Sequence, residues 1–106
     1  MSTSPDAITS GRIICVAQAE ALVGKESEVA RHLTIIRKAA ESDAEPGTHT
    51  YRVVQYGTKF KVFEEYEDLA AFKAHFNGAP FQAFAAVTSE LLVGGEITGT
   101  FYSELK

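Results

Sequence analysis

The stretch from Thr48 to Asp68, THTYRVVQYGTKFKVFEEYED, decides the fold. Two β-prone runs, residues 48–56 and 59–66, are separated only by Gly57-Thr58. A Gly-X pair between such runs signals a two-residue hairpin of the II′ kind, because glycine takes the positive φ at no steric cost. Asp68 follows the second run where a helix N-cap belongs, its carboxylate able to accept from the free N–H groups of the first turn. The stretch therefore predicts an antiparallel pair that runs directly into a helix ending near Asn77, before Gly78.

Upstream, RIICVAQAEA (residues 12–21) is another β-prone run, and Gly24 turns the chain. Residues 26–42 have helical spacing, with Val29, Leu33, Ile36 and Ala40 on one stripe. Glu45-Pro46-Gly47 ends that helix, since proline and glycine do not continue it. Downstream, Pro80 opens a second helical segment that places Phe81, Phe84, Thr88 and Leu91 on one side and stops at Gly94-Gly95. Residues 96–102 form the last strand. The order β-α-β-β-α(α)-β predicts an α+β, ferredoxin-like plait: a four-stranded antiparallel sheet with helices on one face. The domain is expected over residues 12–106, and residues 1–11, small and polar, read as a disordered tail without a secretion signal.

Alternation along the strands assigns the faces. Phe60, Val62, Glu64 and Tyr66 share one face of the third strand. Ile13, Cys15 and Ala17 oppose Ile14, Val16 and Gln18 on the first, and His49, Tyr51, Val53 and Gln55 oppose Thr50, Arg52, Val54 and Tyr56 on the second. Both faces carry apolar side chains, yet the helices cover only one. A second copy of the chain is the simplest cover for the other, so a homodimer is expected.

The chain has 106 residues, 45% hydrophobic and 23% charged, with a net charge of −4. One soluble domain fits those figures. Acids and bases are interspersed, so no basic stripe awaits a phosphate backbone and no nucleic-acid partner is expected. No apolar run is long enough to span a membrane. Cys15 is the single cysteine, which fits a reducing compartment such as the cytoplasm. His32, His49 and His75 are far apart in sequence, and no metal-ligand spacing or dinucleotide fingerprint occurs, so neither metal nor cofactor is expected.

The Glu45-Pro46-Gly47 turn, EEYED at 64–68 and AHFNGAPFQAF at 74–84 resemble the antibiotic biosynthesis monooxygenase (ABM) family of dimeric α/β-barrel proteins. The resemblance runs from about Arg12 to Tyr102. The family's Glu-x-Trp is matched by Glu64-Glu65-Tyr66, its Ala-His by Ala74-His75, and its proline-aromatic link by Ala79-Pro80-Phe81. Members oxidise phenols, anthrones or quinols with O2 and no cofactor, cleave haem, or isomerise small metabolites, and the fold does not choose among them. Where one polyketide-oxidising branch has Asn, Trp and Tyr, this chain has Val62, Tyr66 and Phe72. Near the haem-degrading branch's Asn, Trp and His it has Gln18, His75 and Ala85. The quinol-oxidising and signal-metabolite branches, which share the Ala-His motif, are the most similar.

The resemblance implies a cofactor-independent monooxygenase of secondary metabolism, acting with O2 on an electron-rich hydroxylated aromatic or polyketide-like molecule. A cofactor-free isomerase or cyclase and a non-catalytic ligand-binding dimer are the alternatives. His75 reads either as a general base in an apolar pocket or as a helix-end histidine that binds the last carbonyls and faces water. Glu64 would orient His75 or hold a substrate hydroxyl, or else pair with an arginine or cap backbone groups. Tyr66 and Tyr51 are the candidate donors to a substrate oxygen. Phe72, Phe76, Phe81 and Phe84, with Val62 and His49, are the candidate substrate-binding residues, the four phenylalanines offering walls for a flat ring. Cys15 reads as a small buried hydrophobe, and Glu20, Glu26, Glu28, Glu41, Asp43 and Glu45 as a solvated acidic surface.

Overall fold

Phe60, Val62, Glu64 and Tyr66 are all buried on one face of a strand that spans Lys59–Tyr66, so the alternation read from the sequence sets the sheet's inner side. The computed structural model describes residues 3–8 and 11–105. In chain order it contains β1 (Ile13–Glu20), α1 (Glu26–Ala40), β2 (Thr48–Tyr56), β3 (Lys59–Tyr66), α2 (Leu69–Phe76), α3 (Ala79–Ala85), α4 (Thr88–Leu91) and β4 (Thr98–Tyr102). The four strands form one sheet in the order β2-β3-β1-β4, each neighbouring pair antiparallel. This is the α+β ferredoxin-like plait.

The hairpin closes as expected. Tyr56 pairs with Lys59 across Gly57-Thr58, and Gly57 alone in that turn has positive φ, at 61°. That is the φ pattern of a II′ turn, which follows the twist of the strands. Helix α1 buries Val29, Leu33, Ile36 and Ala40. They join Ala17, Ala19, Val62 and Phe60 of the sheet, with Phe84, Leu91 and Leu92, in one core. Each valine, leucine, isoleucine or phenylalanine among them contributes on the order of 1.5–3 kcal/mol on leaving water.

Apart from one-residue shifts at β1 and at the start of α3, three boundaries differ from the sequence reading, each for a local reason. Helix α1 ends at Ala40 rather than Ser42, because the Ser42 hydroxyl donates to the Ala39 carbonyl at 2.7 Å and stops the ladder. The segment read as one helix from Pro80 to Leu91 is two. The Thr88 hydroxyl donates to the Ala85 carbonyl at 3.1 Å, taking an acceptor that an unbroken helix would use, and Val87 leaves helical geometry at φ −120°. Strand β4 begins at Thr98, two residues late, after Gly94 and Gly95 turn the chain at φ 79° and 80°.

The expectation of a disordered tail falls partly on residues 1–2 and 9–10, outside the described residues. Between them, Thr3 meets β4: its N–H donates to the Gly99 carbonyl at 2.9 Å, and its hydroxyl accepts from the Phe101 N–H at 2.7 Å. Among the described residues no helix is long and apolar enough to cross a membrane.

The helix-free face of the sheet is open. Val54, Tyr56, Phe63 and Tyr102 are exposed there, Tyr56 by 87%. A groove of about 640 Å³ runs over the hairpin end of the sheet, between Val54, Tyr56, Lys61 and Thr98 among others.

Candidate active site

One row of residues crosses the whole sheet beneath the helices. The register places Tyr51 of β2 opposite Glu64 of β3, Glu64 opposite Cys15 of β1, and Cys15 opposite Phe101 of β4. Tyr51, Glu64 and Cys15 are buried. Two residues along from Glu64, Tyr66 lies on the same face, and its hydroxyl donates to Glu64 Oε1 at 2.5 Å. A carboxylate in apolar surroundings needs such donors.

Helix α2 brings His75 over this row. Its start is fixed by Asp68, whose Oδ1 accepts from the Ala71 N–H at 2.9 Å, the cap expected from the sequence. Seven residues on, the His75 ring lies 5.0 Å from the Tyr51 ring, 5.4 Å from that of Tyr66 and 6.0 Å from that of Phe81, centroid to centroid. The residue is only 3% exposed. The alternative of a helix-end histidine facing water is thus corrected: the imidazole points inward.

Its hydrogen-bond partner is Glu45, which the composition reading assigned to the solvated acidic surface. Glu45 Oε1 lies 2.7 Å from His75 Nδ1, and the Glu45 side chain is 11% exposed. Nothing local marks this pairing, since the two residues are 30 positions apart in sequence. The nearest signal is the Glu45-Pro46-Gly47 turn itself. The Thr48 N–H donates to the Glu45 carbonyl at 3.1 Å, and the Glu67 N–H to the Gly47 carbonyl at 2.8 Å, so the turn is tied to both strands of the hairpin.

Gly47 explains why that turn needs a glycine. A Cβ built there would stand 2.5 Å from the Ala71 Cβ, one helical turn before His75 on the same face of α2. The missing side chain lets the turn touch the helix and present Glu45 to the ring. Gly47→Ala is therefore expected to push the turn off α2 and to destabilise the fold by about 1–3 kcal/mol, the usual range for overpacking. Thermal unfolding followed by circular dichroism measures this. A variant as stable as the parent would mean that turn and helix part without cost.

Burial dominates the electrostatics. It lifts the Glu64 carboxyl to about 7, although the Tyr66 hydroxyl and the Cys15 thiol pull in the other direction. It also holds the Tyr51 and Tyr66 hydroxyls and the Cys15 thiol above their ordinary ranges, with the Glu64 charge adding to the effect. Both tyrosines thus remain protonated donors at neutral pH, and Cys15 is the small buried group expected.

Of the residues singled out in the sequence, His75, Tyr66, Tyr51 and Glu64 come together. Phe72 and Phe81 complete the wall, Phe72 lying edge-on to Tyr66 at 5.4 Å and to Phe101 at 4.9 Å. Phe76 stands at the rim, exposed, 5.0 Å from Phe81. The other three lie elsewhere. Phe84 faces His32 at 5.2 Å, Val62 is in the central core, and His49 meets Glu67 near the surface at 3.2 Å. Phe101 and Glu45 are the members that sequence reasoning missed. His75 lines none of three cavities of about 640, 360 and 170 Å³, although the second reaches Tyr51. Among the described residues, no three of His, Cys, Asp and Glu are grouped so as to hold a metal ion.

The sequence pattern of the antibiotic biosynthesis monooxygenase family matches residues 12–87. The chain belongs to this ABM family. Solved structures agree with the ABM fold. A Pseudomonas aeruginosa protein, 23% identical, superposes with a TM-score of 0.81 over 92% of this chain and 98% of its own. A Caulobacter crescentus protein provisionally assigned as an antibiotic biosynthesis monooxygenase, 21% identical, gives 0.81 over 92% and 93%. A Nitrosomonas europaea protein of unknown function, 26% identical, gives 0.77 over 92% and 93%. Among curated proteins, none matches this ABM chain. Likeness at these identities establishes the fold, and the reaction has to be read from the site.

Proposed function

We propose that this ABM protein is a cofactor-independent monooxygenase that oxidises an electron-rich hydroxylated aromatic, of the quinol, anthrone or polyketide class, with O2. One observation carries the reading: a buried imidazole, held at Nδ1 by a carboxylate and walled by tyrosine and phenylalanine rings. A deprotonated phenol or anthrone is itself the electron donor to O2, so the protein has to supply a base, a donor to the developing anion and a dry enclosure. His75 is the base. Tyr51 is the donor, because the Tyr66 hydroxyl is committed to Glu64. For an anthrone, the methylene loses two hydrogens and gains one oxygen atom, and the second oxygen atom leaves as water. His75 lines none of the three cavities, so the reading requires the partly exposed rings of Phe72 and Phe81, with Phe76 at the rim, to move aside for a flat substrate.

The test follows dissolved O2 with an electrode while metal-stripped protein meets a panel of hydroquinones, anthrones and catechols. Uptake above the uncatalysed rate, lost on replacing His75, supports the proposal. Turnover that continues under nitrogen would replace it with an isomerase or cyclase, and binding without turnover with a sequestering protein.

The same reading includes a homodimer in the cytoplasm. Exposed Val54, Phe63 and Tyr102, with Ile14 and Val16 between them, make an apolar face that a second copy covers. Sedimentation equilibrium is expected to give twice the chain mass of 11.5 kDa, and Phe63→Glu to give the single-chain mass. A monomeric parent would remove the dimer from the proposal.

A further inference from the structure

We propose that Glu45 is a positioning residue, which sets the tautomer of His75 and so chooses Nε2 as the basic nitrogen. The catalytic consequence rests on the reading above; the tautomer is a property of the protein alone. A carboxylate accepts hydrogen bonds and does not donate them. With Glu45 Oε1 at 2.7 Å from Nδ1, the ring proton of the neutral imidazole sits on Nδ1, because the other tautomer would set two lone pairs against each other. Nε2 then keeps its lone pair, ready to take a substrate proton, and the imidazolium formed in that step remains bonded to a negative partner.

The carboxylate is itself held in place. The Thr48 hydroxyl donates to the same Oε1 at 3.1 Å, the Glu45 N–H donates to the Ser42 carbonyl at 3.2 Å, and the Gly47–Ala71 contact fastens the turn to the helix that carries His75. Thr48, Glu45 and His75 thus form a chain of hydrogen bonds that starts on strand β2 and ends at the base. Where a carboxylate fixes the tautomer of a catalytic histidine, its loss can lower kcat by up to about 10⁴-fold.

The experiment is long-range ¹H–¹⁵N NMR of the imidazole nitrogens in the substrate-free protein, with His75 assigned by difference from His75→Asn. The expected spectrum has the His75 proton on Nδ1. In Glu45→Ala nothing on residue 45 accepts from Nδ1, and the proton is expected to spread to Nε2, with kcat down by up to about 10⁴-fold and KM little changed. A His75 proton on Nε2 in the parent, or a tautomer unaltered in Glu45→Ala, overturns the proposal whether or not an oxidised substrate is ever found. Should Glu45→Ala fail to fold, the parent spectrum still decides.

Discussion

Replacing His75 with alanine is expected to lower kcat for O2 consumption by about 10²- to 10⁴-fold, the range a positioned general base contributes. KM should change little, because the aromatic walls proposed to bind a flat substrate remain. The substitution also has a structural cost that has to be separated from the chemical one. His75 is 3% exposed and its partner Glu45 is 11% exposed, so alanine leaves a mostly buried carboxylate facing a void. Losing a hydrogen bond to a charged group costs about 1.5–3 kcal/mol, enough to lower the melting temperature by several degrees. His75→Asn keeps an N–H donor near the position of Nδ1 and lacks a basic nitrogen. Asparagine is therefore expected to recover much of the lost stability and none of the lost turnover. If His75→Asn oxidised substrate at the parent rate, the base would have to be sought elsewhere.

The parts of this fold that were legible are those that short-range rules govern. Gly57-Thr58 specifies its hairpin because two flanking strands and one positive φ fit within four residues. Asp68 caps α2 because cap and recipient, Ala71, are three positions apart. The α1 stripe of Val29, Leu33, Ile36 and Ala40 is buried throughout because 3.6-residue periodicity survives any tertiary arrangement. The site was half legible for the same reason. Its aromatic and acid-base residues cluster in sequence between Glu64 and Phe81, and the hairpin places Tyr51 beside them. Glu45 and Phe101 were not legible. One reaches His75 from a turn 30 residues upstream, the other from the far edge strand, and both depend on register. The register of β2 against β3 shifts between Thr48 and Thr50, and no residue pattern announces that irregularity. Phe84 shows the opposite error. It lies three residues after Phe81 and shares its helix, yet one turn along α3 is enough to carry it from the histidine cluster to His32.

At pH 8, Glu64→Gln is expected to be more stable than the parent by about 3 kcal/mol, and at pH 4 by almost nothing. In the unfolded chain the Glu64 carboxyl titrates near 4.5, whereas in the folded protein burial raises it to about 7. The folded state therefore binds more protons than the unfolded state between those values. Linkage then requires stability to fall as pH rises through that window and to level off above it, at about 1.4 kcal/mol for each pH unit of separation. Glutamine has the same shape and no charge, and its carbonyl can accept the Tyr66 hydroxyl, so it escapes the penalty. Urea unfolding of both proteins at pH 4, 6 and 8 measures the difference, in which the contributions of all other groups largely cancel. A difference that did not vary with pH would mean that Glu64 is solvated or paired well enough to ionise freely. The expected trend would instead show that the row beneath His75 carries a group whose ionisation works against the fold. Glutamine would serve packing and hydrogen bonding there equally well, so under the proposed function the carboxyl is kept for its chemistry, as is common where stability and activity trade against each other. On the proposed function, the position of the carboxyl, bonded to Tyr66 and opposite Tyr51, would let it accept or return a proton beside His75.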